Sequence, residues 1–282
     1  MHRKYLSLLG IKFNPFGPDL PLDALWKSPA VETFCFRVTQ QVRDGGFAMI
    51  SGDPGLGKSV MLRLLADALS KAPEVIVGEV SHPQSGVGDF YRELGDLFGV
   101  TLSPHNRWNG FKRLRQRWQQ FITQSAYRPI LLIDEAQEMN PTVLAELRLL
   151  SSKDLDAKQL LMVILCGDQR LPEKLSTPEL MSIGSRARAR LKATTATVEQ
   201  LGACLDHVLV AAGNPSLMTP ELKRTVCEHA MGNYRVMMGL CNDLLMTQAS
   251  REHGPPLDEK LILEVFTPPT ATRPTPTKPR RS

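Results

Sequence analysis

The chain has 282 residues, enough for one large or two modest domains with a real hydrophobic core. Its N-terminus, Met1-His2-Arg3-Lys4-Tyr5, has no apolar signal core, and no apolar run approaches the roughly 20 residues that span a bilayer. Five cysteines (35, 166, 204, 227 and 241) include no C-x-x-C pair, so the expectation is a reduced cytoplasmic protein without zinc site, disulfide frame or membrane segment.

The net charge is +5, but four of those charges are matched by Arg273, Lys278, Arg280 and Arg281 in the acid-free tail 267–282. That tail is mostly Pro, Thr and basic residues and is expected to stay unfolded. Within the rest, the charge is segregated. Between Asp96 and Asp134 there is no acid, while Arg107, Lys112, Arg113, Arg115, Arg117 and Arg128 are present.

Phe47 to Ile50 form a short apolar run between Gly45-Gly46 and Ser51, as expected of a strand near 47–51 buried on both faces. It leads into Gly52-Asp53-Pro54-Gly55-Leu56-Gly57-Lys58-Ser59, a match to G-x-x-x-x-G-K-[ST]. Such a loop turns its backbone N–H groups toward phosphate oxygens, with Gly52 and Gly57 where a Cβ would obstruct the turn. Lys58 then reaches the β- and γ-phosphates, and Ser59 offers a hydroxyl to Mg²⁺. Val60, Leu62, Leu64, Leu65 and Leu69 continue with helical spacing toward Pro73, so the helix N-terminus adds its positive end to the site.

Further strands are expected near 75–80, 130–133, 161–166 and 193–198, alternating with helical patterns. In the segment 107–122, Phe111, Leu114, Trp118 and Phe121 fall on one helical stripe, which reads as core in preference to a base-stacking platform. Arg113 and Arg117 share another face, flanked by Lys112 and Arg115, and together with Arg107 they form a candidate surface for DNA phosphates; a solvated charged face is the alternative. Next, Ile130-Leu131-Leu132-Ile133-Asp134-Glu135 delivers two carboxylates at the C-terminal end of a strand, where parallel α/β sheets bind ligands. Asp134 suits the Mg²⁺ shell, and Glu135 suits the base that orients and deprotonates the attacking water. Asn140-Pro141 opens the following helix. After residue 199 strand signals stop, and the patterns at 199–212, 220–231, 234–250 and 257–265 are helical.

These motifs together resemble an AAA+ ATPase, in particular the group of ExeA-type proteins and MuB/TnsC/TniB-type transposition ATPases. The residues that carry the resemblance are Phe13-Asn14-Pro15-Phe16, the octet 52–59, Asp134-Glu135-Ala136-Gln137, Glu146-Leu147-Arg148-Leu149-Leu150-Ser151 and Gly232-Asn233-Tyr234-Arg235. The implied fold is a parallel-sheet αβα core over 29–198 followed by a helical lid over 199–266. Residues 1–28 would be a segment near the adenine pocket, with Phe13 and Phe16 lining that pocket or packing the N-terminus onto the core. The resemblance further implies bound ATP and Mg²⁺ and a homo-oligomer, ring or filament. In that oligomer Arg186 would complete a neighbour's site, with Arg188 and Arg190 close enough to compete for the role. Arg235 looks like a lid arginine that contacts the γ-phosphate. Asp168 and Gln169 occupy the position that usually holds an Asn or Thr sensor. The first function this suggests is an ATPase that assembles on double-stranded DNA and directs a transposase. The alternatives are an ExeA-like ATPase for assembly of a secretion machine, against which the lack of a membrane segment would count, and a signalling NTPase that binds protein partners.

Overall fold

The structure, a computed structural model, describes residues 2–102, 106–154, 157–251 and 253–266. The tail 267–282 and part of the loop before Arg107 lie outside them. The chain opens with α1 (His2–Leu9) and α2 (Pro29–Gln41), then β1 (Gly46–Gly52), α3 (Lys58–Ser70) and β2 (Val75–Val80). Next come α4 (Val87–Phe98), α5 (Arg107–Gln124), β3 (Arg128–Ile133) and α6 (Pro141–Ser151). A two-stranded hairpin, β4 (Ser152–Lys153) and β5 (Lys158–Gln159), leads to β6 (Met162–Gly167), the short α7 (Arg170–Leu175) and α8 (Met181–Gly184), and β7 (Ala187–Ala193). Four helices finish the chain: α9 (Val198–Ala212), α10 (Pro220–His229), α11 (Tyr234–Ser250) and α12 (Glu259–Phe266).

The five long strands form one parallel sheet in the order β2-β3-β6-β1-β7. Both faces of the sheet are covered, which explains why its inner strands are unbroken apolar runs. Phe47, Met49, Leu131, Ile133, Val163 and Leu165 pack toward Phe90 and Leu94 of α4, Leu114 and Trp118 of α5 and Leu147 of α6. Their neighbours Ala48, Ile50, Ile130, Leu132, Ile164 and Cys166 face Phe34 and Val38 of α2 and Leu64, Leu65 and Leu69 of α3. Leu114 and Trp118 of the aromatic stripe are fully buried, and Phe111 and Phe121 are partly so. The stripe is therefore core, as its spacing predicts.

The fifth strand differs from expectation: it runs 187–193, not 193–198. Only its small alternate residues Ala187, Ala189 and Ala193 are buried, while Arg188, Arg190 and Lys192 point outward from this sheet edge. The stretch 194–197 is instead the approach to α9, whose first turn is closed by a capping box between Thr197 and Gln200.

The last four helices enclose a separate apolar cluster that includes Leu201, Leu205, Leu222, Cys241, Leu244 and Leu261. Leu9, Ile11 and Phe16 from the N-terminal segment join this cluster, so the chain's start is clamped to its lid. All five cysteines are buried and free. Among the described residues no helix is long and apolar enough to cross a membrane.

Candidate nucleotide site

β1 sits between β6 and the edge strand β7, and its C-terminal end opens into the 52–59 loop. A Cβ at Gly52 would lie 2.5 Å from the Ala193 carbonyl oxygen on the neighbouring strand, which excludes larger residues. Gly57 takes φ 84° as the N-cap of α3 and supplies no side-chain cap, so the first-turn N–H groups stay available to an anion. The Lys58 ammonium donates to the Asp53 carbonyl at 3.1 Å while the residue is only 8% exposed. Among the described residues that neutral oxygen is its one hydrogen-bond partner, so a phosphate fits the remaining need of a nearly buried cation.

Asp134 and Glu135 follow β3, the strand beside β6. The Asp134 carboxylate accepts the Glu135 N–H at 2.9 Å. It also neighbours the Cys166 thiol, whose pKa burial pushes up first and this carboxylate second. Glu135 adopts a left-handed backbone, φ 51°, which swings its side chain away from the strand direction. Its Oε2 accepts from Gln137 Nε2 at 2.5 Å, and Gln137 Oε1 accepts from the Asp168 N–H at 3.1 Å.

The lid touches the loop directly. Asn233 caps α11 by accepting from the Arg235 and Val236 N–H groups at 3.0 and 3.2 Å, and its amide donates to the Pro54 carbonyl at 3.2 Å. The Arg235 N–H is shared with the Gly55 carbonyl at 3.1 Å. Gly55 has φ 83°, and a Cβ there would come 2.3 Å from Asn233 Oδ1, so this glycine permits the docking.

A cavity of about 670 Å³ lies at this junction. Pro54, Gly55, Leu56, Gly57, Lys58, Ser59, Val60, Glu135, Asp168, Arg235 and Phe16 all line it. Gly52, Asp53 and Asp134 are not among its lining residues. Phe13 is not among the residues lining this cavity and packs on the lid cluster, the second of the two roles expected for it. The apolar wall comes instead from Leu20, Trp26 and Val31 on the core side and Val208, Tyr234 and Met238 on the lid side, residues that no motif marked. Asn14 anchors this wall by donating to Asn242 of α11 at 2.9 Å. The Ser59 hydroxyl and Asp134 carboxylate are hard oxygen donors, and no cluster of three or more His, Cys, Asp or Glu exists among the described residues to form a cage. That donor set suits Mg²⁺, which takes one or two carboxylates plus substrate phosphates.

Asp168 is less available than its position suggested. Its carboxylate is held by the Arg170 N–H at 2.8 Å and guanidinium at 2.7 Å, and the Arg170 contact holds its pKa below the usual carboxylate range. Arg235 lines the cavity, and its guanidinium has no partner among the described residues. Arg186 and Arg190 lie elsewhere: Arg186 donates to the Ser182 carbonyl, and Arg190 to those of Gly184 and Ala187. Arg188 faces Asp44 at 3.7 Å.

The basic residues of α5 are mostly used within the chain. Arg107 pairs with buried Glu146, which also accepts from the Tyr91 hydroxyl at 2.8 Å. Arg113 donates to the Thr101 carbonyl at 2.7 Å, Arg115 to those of Leu149 and Ser152, and Arg117 to that of Phe98. These last contacts cap the C-terminal ends of α4 and α6 with positive charge. Lys112 lies 5.3 Å over the ring of Trp108, which is 67% exposed.

Residues 41–175 match the family model for the AAA domain. The parallel-sheet core and the helices that follow it share their fold with solved structures that have too little sequence in common to indicate more. The ORC2 protein of Aeropyrum pernix has TM-score 0.69 at 12% identity, over 89% of this chain and 70% of that one. The Aeropyrum pernix ORC1 protein in complex with DNA has TM-score 0.63 at 17% identity, over 89% and 67%. A sequence relative is the General secretion pathway protein A of Aeromonas hydrophila, 28% identical over 252 residues. That alignment takes in 88% of this chain but 45% of the relative, so the chain spans less than half of that protein's length.

Proposed function

We propose that the chain is a Mg²⁺-dependent ATPase of the AAA+ type that works as an assembly switch on protein partners, in the manner of a secretion-machine ATPase. The observation that carries the ATPase reading is the single cavity onto which Lys58, Glu135 and Arg235 converge from loop, strand end and lid. Glu135 takes a proton from water as that water attacks the γ-phosphorus, and the bond to the ADP oxygen breaks. Lys58 and Arg235 meet the charge on the transferred group. Ser59 and Asp134 would hold Mg²⁺, which would supply further neutralisation of the phosphate oxygens. Arg186 serves the site of a neighbouring copy, which makes assembly part of the reaction.

The secretion reading is supported by likeness along 88% of the chain to a secretion-pathway protein. The lack of a membrane segment does not count against it in a chain that spans 45% of that relative. Action on duplex DNA and a transposase has weaker support. The arginines of α5 that suggested it are bonded to Glu146 and to backbone carbonyls, leaving Lys112 as the α5 cation without a hydrogen bond among the described residues.

Two measurements test these readings. Glu135→Gln should keep ATP binding and lose nearly all turnover; unchanged turnover removes Glu135 from the base role. DNA binding with ATP, ADP and a non-hydrolysable analogue, over a salt series, should be weak and the same in every nucleotide state. ATP-dependent binding whose log affinity falls by about 0.9 per neutralised phosphate for each log unit of salt would restore the DNA-directed reading.

A further inference from the structure

Gln137 is 7% exposed, and both ends of its amide are used within the site. Nε2 donates to Glu135 Oε2 at 2.5 Å, and Oε1 accepts from the Asp168 N–H, the first peptide after β6, at 3.1 Å. The backbone of the same residue is fixed too, because Lys174 Nζ of α7 donates to its carbonyl at 2.7 Å. Room for the amide exists because residue 167 is glycine: a Cβ there would stand 2.4 Å from Gln137 Oε1. The Asp168 side chain plays no part in this link, being held by Arg170. Glu135 Oε1 has no partner among the described residues.

We propose that Gln137 is the positioning residue of the hydrolytic site, linking the end of β6 to the Glu135 carboxylate and fixing Oε2 so that Oε1 is the oxygen presented to water. Glu135 needs such a hold. Its left-handed backbone gives the side chain a departure direction that no helix or strand packing maintains. An amide is suited to the task because it donates at one end and accepts at the other without adding charge beside Asp134. The position that usually carries a side-chain sensor is then read through a peptide N–H, which explains how Asp168 can be committed to Arg170 without disconnecting β6 from the reaction.

The proposal rests on Glu135 as base, so the experiment carries Glu135→Gln alongside. In the full chain, Gln137→Met keeps the volume and removes both hydrogen bonds. The expected result is a kcat lowered about tenfold or more, with KM for ATP and affinity for a non-hydrolysable analogue within about twofold. Hydrogen exchange at the Asp168 amide should speed up in the same variant, a readout that does not depend on turnover. Gln137→His, whose neutral ring again pairs one donor with one acceptor, should recover most of kcat. Gly167→Ala attacks the link from the other side and should lower kcat while sparing KM; it decides the matter if the Met variant does not fold. Wild-type kcat in Gln137→Met or in Gly167→Ala, with Glu135→Gln inactive, overturns the role of Gln137 and leaves the base in place. Full turnover in Glu135→Gln overturns both.

Discussion

Replacing Asn233 by Ala removes the side-chain tie between nucleotide loop and lid and leaves the Arg235–Gly55 backbone bond, and the cost can be worked from three hydrogen bonds. Two of them, from the Arg235 and Val236 N–H groups, are the cap of α11, and the third runs to the Pro54 carbonyl. Losing an N-cap costs about 1 kcal/mol, and losing one further neutral hydrogen bond at a partly exposed site costs about 1 kcal/mol more. For a chain of this size that sum lowers Tm by about 3–4 °C. Asn233→Asp separates the two functions. It keeps the accepting oxygen and adds a carboxylate at a helix N-terminus, so Tm should stay within about 1 °C of wild type. It also loses the donor to Pro54 and turns negative charge toward the phosphate loop, which should weaken ATP by up to about tenfold. Thermal unfolding without nucleotide and titration with a fluorescent ATP analogue measure both quantities. The reasoning is refuted if the Ala variant melts like wild type, or if the Asp variant binds ATP normally.

Two further expectations concern residues away from the cavity. Arg107→Ala leaves Glu146, 4% exposed, with the Tyr91 hydroxyl as its remaining partner and should cost about 1–3 kcal/mol in urea unfolding. Lys112→Ala removes an exposed cation lying over Trp108 and should change stability by less than about 1 kcal/mol; equal effects would mean that the Arg107–Glu146 pair is not structural. Burial pushes the thiol of Cys204 up to about 12 and that of Cys227 up to about 11, and raises Cys35, Cys166 and Cys241 as well. Raised values mean little thiolate at neutral pH, so iodoacetamide followed by mass spectrometry should find none of the five modified in native protein and all five after denaturation. Rapid labelling of one cysteine in native protein would show that its helix opens.

The phosphate loop and the acidic strand end were legible because their chemistry sits in consecutive residues and their strands, buried on both faces, are plain apolar runs. β7 was misplaced for the opposite reason. Its buried side chains are small alanines and its outward ones arginine and lysine, so the hydrophobic signal lies beyond the strand and not in it. The basic helix misled in a different way. Charge can be counted in a sequence, but the carbonyl groups of Thr101, Leu149 and Phe98 that receive those guanidiniums cannot. Gln137 and Asn233 stood inside recognised motifs, yet their work was invisible. Each is an amide whose decisive partner is remote, 31 residues away for Gln137 and 179 for Asn233.

The register of β7 also constrains what Arg186 can do. Ala187 pairs with Phe47 and Ala193 with Gly52, so the residue before β7 lies at the opposite end of the sheet from the phosphate loop. At about 3.3 Å per residue that separation approaches 20 Å, beyond the reach of an arginine side chain. Arg186 therefore has no route to the γ-phosphate of its own chain, whatever its rotamer. Lys58, Glu135 and Arg235 do line their own cavity, with Gln137 fixing the base. If Arg186 contributes to hydrolysis, its guanidinium enters another copy's cavity. The charge it would neutralise is then met only in an assembly, and the rate of a single copy measures how much the chain achieves without it.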